Sequence, residues 1–138
     1  MSQYLKVNTT ISGQEHLIEA LQKQGFHPLV HDIALPLEGY GGDKRRETAE
    51  IVIPRRQVGN ASNDIGFKRQ PDGSFQPIIS EFDSCKYNAK WVAELKASVS
   101  IARITRMARR QYGCTEPQIR DVETPTGRKR VVTFTLPS

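Results

Sequence analysis

The segment "DIGFKRQPDGSFQPIIS", residues 64–80, holds two short runs with strand-forming residues on either side of the dipeptide Asp72-Gly73. An Asp-Gly pair in this setting is among the stronger short-range signals of a β-hairpin, because glycine adopts the positive φ of a tight turn without strain. We therefore predict two antiparallel strands here and expect the rest of a sheet to form around them.

Three further strands are predicted on the N-terminal side of this hairpin. Residues 48–53, "TAEIVI", alternate and stop at Pro54. Residues 26–33, "FHPLVHDI", contain Pro28, which favours an edge strand or a position among the first residues of the strand, because proline donates no ladder hydrogen bond. Residues 3–11, "QYLKVNTTI", also alternate and predict a strand with one buried face.

A helix is predicted between the strand at residues 3–11 and the strand at residues 26–33. Ser12 lies three residues before Glu15, the spacing of a capping box, and Gly25 suits the left-handed conformation that ends a helix. The segment between residues 34 and 47, "ALPLEGYGGDKRRE", is rich in glycine and carries the consecutive cations Lys44–Arg46. Its spacing is not that of a P-loop, so we predict a surface loop whose cations add to a binding surface.

Residues 86–112 predict a helix whose apolar face changes direction at Ser98–Ser100. We interpret the change as a bend or as two successive helices, because serine hydroxyls compete for backbone hydrogen bonds. The side predicted to pack in the second part consists of Ile101, Ile104, Ala108 and Tyr112. Residues 116–136 predict a closing hairpin around the turn "PTGRK".

These elements predict one α+β domain over residues 1–138, with a largely antiparallel sheet and two to three helices on one face as a two-layer sandwich. No apolar run approaches a membrane span, and the N-terminus has no signal-peptide pattern, so the expected compartment is the cytoplasm or an equivalent reducing one. Cys85 and Cys114 are expected to be free thiols, although a disulfide is the alternative.

The positive charge is unevenly distributed along the chain. Residues 1–85 carry 9 Lys and Arg against 11 Asp and Glu, whereas residues 86–138 carry 11 against 4. Such an asymmetry favours an acidic partner, which could be a nucleic acid, an anionic surface or an acidic protein.

Four arginines concentrate this charge in "ARITRMARRQYGC", residues 102–114. At about 100° per residue, they fall within an arc of about 120° on a helix. The arginines are Arg103, Arg106, Arg109 and Arg110. A solvated helix face would explain them, and so would an anionic partner that uses the bidentate geometry of arginine; both interpretations stay open.

The sequence contains no catalytic constellation, and we predict a protein that is not an enzyme and uses no cofactor or metal. Asp64, Glu81 and Asp83 could approach one another at strand ends, but paired-carboxylate catalysis needs a raised pKa that nothing in the sequence indicates. His27 and His31 lie in a predicted strand with no third ligand nearby, which disfavours a zinc site.

The order "GYGG", "TAEIVI", "NDIGF" and "DGSFQPIISEFD" resembles an uncharacterised domain-of-unknown-function family, represented by a conserved hypothetical reading frame of red-algal plastids and cyanobacteria. The opening "YLKVNTTISGQEHLIEALQKQGF" is similar to the start of that family. The resemblance implies no catalytic residues and an accessory role beside an ATPase of the AAA type. The connection "PRRQVGNASN" and the arginine-rich helix depart from the family pattern.

From the sequence we expect a non-catalytic binding or adaptor domain that docks onto an acidic protein partner, for which the resemblance suggests an AAA-type ATPase. Its basic surface would contain the four helical arginines together with Lys44, Arg45 and Arg46. The alternative is sequence-nonspecific RNA or DNA binding through the same surface, for which no recognised RNA-binding motif is present.

Overall fold

The computed structural model describes residues 2–137, and the chain divides into two compact units, the first ending at Val99 and the second beginning at Ser100. The sequence predicted one domain over residues 1–138. In chain order the elements are β1 (Tyr4–Lys6), α1 (Gln14–Lys23), β2 (Leu29–Glu38), β3 (Lys44–Ile53), α2 (Arg55–Val58), β4 (Ile65–Arg69), β5 (Phe75–Ser80), a 3₁₀ turn (Asp83–Cys85), α3 (Ala89–Tyr112), β6 (Gln118–Thr124) and β7 (Gly127–Thr133).

The first unit is built on a five-stranded sheet in the order β1-β5-β4-β3-β2, in which all strand pairs are antiparallel. The predicted central hairpin is confirmed: Phe67 of β4 pairs with Pro77 of β5, and Gly73 in the turn has a φ of 87°. Strand β2 lies at the edge, as Pro28 indicated. The α+β prediction is therefore confirmed.

The main core lies between one face of this sheet and two helices. Leu17 and Leu21 of α1 and Leu95 of α3 are fully buried against Phe67 and Phe75 of the sheet. The 3–4 residue spacing of the buried helical positions gives each helix one apolar stripe toward the strands. The first unit thus has the helix-on-sheet packing that the sequence predicted.

Helix α1 begins differently from the prediction. The residue before it is Gly13, in a left-handed conformation with a φ of 101°, and no side chain caps the helix. The predicted capping role of Ser12 is therefore wrong, since the helix begins one residue later and Gly13 occupies the cap position. Gly25, with a φ of 94°, follows the helix in the conformation expected of a terminating glycine.

The predicted loop over residues 34–47 is wrong. Strand β2 continues to Glu38 and β3 begins at Lys44, so most of this segment forms a hairpin with a short glycine-rich turn. Leu37 anchors it, because its side chain is fully buried in a small second cluster on the opposite side of the sheet. One buried leucine among glycines and charged residues is too weak a pattern to distinguish a strand from a loop.

Helix α3 is one uninterrupted helix from Ala89 to Tyr112, so the prediction of two successive helices is wrong. The change in apolar face at Ser98–Ser100 coincides with the boundary between the two compact units. Within residues 2–137, no helix has the length and apolar character needed to span a membrane.

The second unit contains the end of α3 and the β6–β7 hairpin, which confirms the closing hairpin predicted from the sequence. Gly113 ends the helix with a φ of 67°, and the backbone N–H of Cys114 then donates to the carbonyl of Ala108 at 3.4 Å. Both Ala108 and Cys114 are buried.

Candidate docking surface

The net charge of the protein resides in the second unit. Up to Val99 the chain has 12 Lys and Arg against 12 Asp and Glu, whereas from Ser100 onward it has 8 against 3. The whole formal charge of +5 is therefore carried by the shorter unit. A local excess of this kind attracts negatively charged partners and accelerates their association.

Every acidic side chain of the second unit already has an arginine partner. The ion pairs are exposed, so each contributes little to stability. Their importance is that, among residues 100–137, they leave no acidic side chain to neutralise the remaining cations. The pairs are Arg109–Glu116 at 2.7 Å, Arg128–Glu123 at 3.0 Å and Arg130–Asp121 at 3.5 Å.

Four cations of the second unit remain exposed and form no ion pair within residues 2–137. They are Arg103, Arg110, Arg120 and Lys129. Of the other two arginines predicted to bind a partner, Arg109 is engaged by Glu116, and Arg106 is half-buried with an interaction of its own. Of the four helical arginines predicted to bind a partner, two are therefore exposed and outside ion pairs among residues 2–137, namely Arg103 and Arg110.

On the helix, Arg103, Met107 and Arg110 follow one another at spacings of four and three residues and so form one stripe. The Met107 side chain is 52% exposed between the two arginines. The predicted packing side is partly wrong, because Ile104 and Tyr112 are 45% and 60% exposed, and only Ala108 of that set is buried.

On the hairpin, the two remaining cations occupy the same face. Arg120 pairs with Val131 and Lys129 pairs with Val122, so the two cations are diagonal neighbours across the strands. Because side chains alternate along a strand, the ion pairs of Asp121 and of Glu123 lie on the opposite face. The hairpin thus has one face of mixed charge and one whose charges are all positive.

The other predicted binding cations, Lys44–Arg46, lie at the start of β3 in the first unit. The Arg45 side chain is only 13% exposed and is held by Asp43 at 2.6 Å and by the carbonyl of Ser2 at 2.7 Å. Its guanidinium also lies over the ring of Tyr4. Lys44 pairs with Glu38 at 3.6 Å, and Arg46 is exposed. These contacts give Arg45 a structural role in closing the hairpin turn.

Two of the three acids considered for catalysis, Asp64 and Asp83, accept hydrogen bonds from other groups of the chain. Asp64 accepts the backbone N–H groups of Glu38 at 2.8 Å and Arg55 at 2.7 Å, while Asp83 accepts the Ser80 hydroxyl at 2.7 Å. Burial is the main cause that raises the pKa of Asp64 above its ordinary value, against the lowering effect of those two hydrogen bonds. Glu81 is exposed. Both buried carboxylates are occupied by donors of the chain itself.

No group of three His, Cys, Asp or Glu side chains within residues 2–137 is arranged to hold a metal ion. His27 is exposed and His31 is half-buried in β2. The cysteines are free, with Cys85 exposed and Cys114 buried.

Comparisons with protein-family models, with curated proteins and with solved structures found no match. The candidate surface therefore depends on geometry alone. We define the basic surface of the second unit as its four exposed cations outside ion pairs, Arg103, Arg110, Arg120 and Lys129. Arg103 and Arg110 belong to the predicted binding residues, whereas Arg120 and Lys129 do not, although strand alternation in the predicted closing hairpin places these two on one face.

Proposed function

We propose that this protein is a non-catalytic adaptor that docks through the basic surface of its second unit onto an acidic protein partner. The proposal rests on one observation. Each of the three Asp and Glu side chains of this unit is already in an ion pair with an arginine, and four exposed cations lie outside these pairs. Cations of this kind remain fully available to carboxylates of another molecule.

Exposed apolar side chains in the same unit support a protein partner. Ile104, Met107 and Tyr112 are exposed on α3, and Met107 lies between Arg103 and Arg110. Arginine, tyrosine and methionine are enriched where proteins contact one another, and binding energy concentrates in a few anchor residues near the centre of an interface. The partner surface that fits is a group of carboxylates around an apolar patch. The family resemblance makes an AAA-type ATPase one candidate for it.

Exposure of Tyr112 favours the second candidate function, nonspecific binding of RNA or DNA. Single-stranded nucleic acids bind to aromatic rings and cations together, and the exposed Tyr112 belongs to the same unit as the four exposed cations, although it lies nearly opposite Arg110 around the helix. Phosphate contacts would make affinity fall steeply with salt. A gel shift present at low salt and lost near physiological salt would support this candidate, and no shift at low salt would remove it.

The test is co-purification from low-salt extract with the double variant Arg103→Glu/Arg110→Glu, followed by mass spectrometry and nucleic-acid staining. The control is Arg46→Glu/Arg56→Glu, which makes the same charge change at exposed positions of the first unit. We expect an acidic protein to be retained by the unchanged protein and the control, to resist nuclease, and to be lost with the double variant.

Both variants should melt within a few degrees of the unchanged protein, because their substitutions are at exposed positions. Retention of the same partner by the double variant would contradict the proposal. Recovery of nucleic acid, with nuclease abolishing the association, would replace it with the second candidate.

A further inference from the structure

A cavity of about 590 Å³ opens on the first unit. It is formed where the end of α1, helix α2 and the beginning of α3 meet. Its volume is in the range of sites that bind small organic molecules or a single large side chain. The lining residues are Gln24, Gly25, Phe26, Gln57, Val58, Lys86, Tyr87 and Trp91.

Aromatic rings form the interior of this cavity. The rings of Tyr87 and Trp91 meet edge to face, with centroids 5.0 Å apart and an interplanar angle of 88°. Phe26 packs on the other side of Tyr87 with a centroid distance of 6.2 Å. Tyr87 is buried, whereas Phe26 and Trp91 are only half-buried, so parts of two rings remain accessible to a ligand.

Hydrogen bonds hold the walls in place. The indole Nε1–H of Trp91 donates to Oε1 of Gln24 at 2.9 Å, which ties α3 to the end of α1. Gln57 accepts the backbone N–H of His27 at 2.7 Å and donates to its carbonyl at 3.1 Å, which ties α2 to the segment after α1. These hydrogen bonds connect the three segments that line the cavity before a ligand enters.

Lys86 supplies the only formal charge among the lining residues. Its Nζ lies 5.5 Å from the centroid of the Tyr87 ring, and it forms no ion pair within the described part of the chain. No Asp or Glu lines the cavity. An accessible ammonium group beside exposed aromatic carbon favours a ligand that has an apolar ring and a negative charge.

We infer that this cavity is a binding site for an aromatic anion, meaning a planar apolar group that carries a carboxylate or a comparable acid. The ring packs against Phe26 and Trp91, and the acid group contacts the ammonium of Lys86. This chemistry has two sources: a small aromatic acid, or an aromatic side chain flanked by acidic residues on a protein partner. The inference stands independently of the proposed adaptor function, since no residue of the second unit takes part.

Trp91 makes the site directly measurable, because it is the single tryptophan of the chain. Titration of the full-length protein with phenylacetate, with selective excitation of tryptophan, should give a saturable change in fluorescence at millimolar concentration, the affinity range of so small a ligand. The uncharged analogue phenylacetamide should bind at least about threefold more weakly, because it cannot form the ion pair with Lys86.

The decisive variant is Lys86→Glu, and the matched control is Lys90→Glu, four residues further along at an exposed position that does not line the cavity. We expect loss of phenylacetate binding in the first variant and unchanged binding in the second, with far-UV circular dichroism confirming that both fold. A linear, unsaturable response to phenylacetate would overturn the inference. Equal binding of both analogues, unaffected by Lys86→Glu, would overturn it as well.

The two sources are distinguished by a third titration with an acetylated and amidated Glu-Phe-Glu tripeptide. Tighter binding of the tripeptide than of phenylacetate would support the site and identify a protein segment as its ligand. Saturable binding of phenylacetate with none of the tripeptide would support the site and identify a small aromatic acid.

Discussion

At the scale of single residues, Asp64 determines how three segments of the first unit meet. Its carboxylate accepts one backbone N–H at the end of β2 and another at the start of α2, while its own carbonyl accepts the Tyr4 hydroxyl at 2.8 Å. Burial raises the pKa of Tyr4, so its hydroxyl keeps the proton that it donates. One acidic residue thus satisfies donors from three elements that would otherwise lack partners.

We expect Asp64→Asn to destabilise the protein by about 1–3 kcal/mol, because an amide has one acceptor oxygen and must leave one of the two backbone N–H groups unsatisfied. Urea unfolding of both proteins at several pH values measures the difference.

Since the pKa of Asp64 is raised on folding, its contribution to stability is complete below the ordinary value of 3.8 and declines as pH rises through the folded value. The difference between the two proteins should therefore be larger near pH 4 than near pH 7. A difference that increases with pH would show that the pKa is lowered instead.

Gly66 is required by a close approach of neighbouring strands. A Cβ at this position would lie 2.8 Å from Cβ of Ala49 and 2.9 Å from Cδ2 of Leu37, both buried. We expect Gly66→Ala to lower the free energy of unfolding by about 1–3 kcal/mol through overpacking, as measured by urea denaturation. The control is Gly41→Ala, whose new methyl group would meet only an Asp43 oxygen at 3.6 Å. Its stability should change by less than about 0.5 kcal/mol. Equal effects of the two substitutions would exclude the packing explanation.

At the scale of elements, the sequence was informative where turn chemistry and alternation agreed. The β4–β5 hairpin follows from Asp72-Gly73, where the Asp72 carboxylate also accepts the Ser74 backbone N–H at 2.9 Å. The β2–β3 hairpin could not be found in this way. Its turn is closed by contacts from distant parts of the chain, such as the bond from the Tyr40 N–H to Asn63 at 3.0 Å, and no local pattern contains these.

For helix α3 a local pattern was present in the sequence, but it had more than one structural explanation. The rotation of its apolar face predicts a bend or two successive helices, since a straight helix on one sheet keeps one face apolar. The helix is continuous, and the rotation instead marks the boundary after Val99 between the two compact units. Periodicity identifies which side of each turn is apolar. It does not distinguish a break in the backbone from a continuous helix that belongs to two compact units.

The edge strand β2 is unusually apolar for an unpaired edge. Ile33 is 72% exposed, and Leu29, Val30 and Leu35 are exposed as well. Exposed apolar edges promote strand pairing between molecules, and charged residues prevent it. We expect Ile33→Lys to reduce concentration-dependent aggregation, measured by light scattering, while the free energy of unfolding changes by less than about 0.5 kcal/mol. Thr10→Lys introduces the same charge at an exposed position outside β2 and should leave aggregation higher than in the first variant. If both lysines reduce aggregation equally, net charge rather than the edge is responsible.

At the scale of the whole molecule, the sequence showed which half of the chain is basic. It did not show which cations of that half remain outside ion pairs. A count of charges cannot show which arginines are already paired. Arg128 and Arg130 are neutralised across the hairpin by Glu123 and Asp121. Arg120 and Lys129, close by in sequence, face the other way and stay outside ion pairs among residues 2–137. The register of β6 and β7 decides this difference, and register is a property of the folded hairpin.

The two units also differ in how much of their structure is buried, and this predicts a difference in local stability. The first unit contains a contiguous apolar core, whereas in the second unit Ala108 and Cys114 are the buried side chains among residues 100–137. Segments with few buried apolar contacts open locally at low free-energy cost. We therefore expect amide hydrogen exchange, measured by mass spectrometry and corrected for intrinsic rates, to be at least about tenfold slower in β4 and β5 than in β6 and β7.

Low concentrations of urea provide the control for this comparison. Exchange through global unfolding accelerates steeply with urea because a large surface is exposed, while exchange through local opening responds weakly. The central strands should show the steep response and the closing hairpin the weak one. Identical protection and identical urea dependence in the two sheets would instead mean that the units open together. A hairpin that opens locally can adjust Arg120 and Lys129 to the carboxylates of a partner.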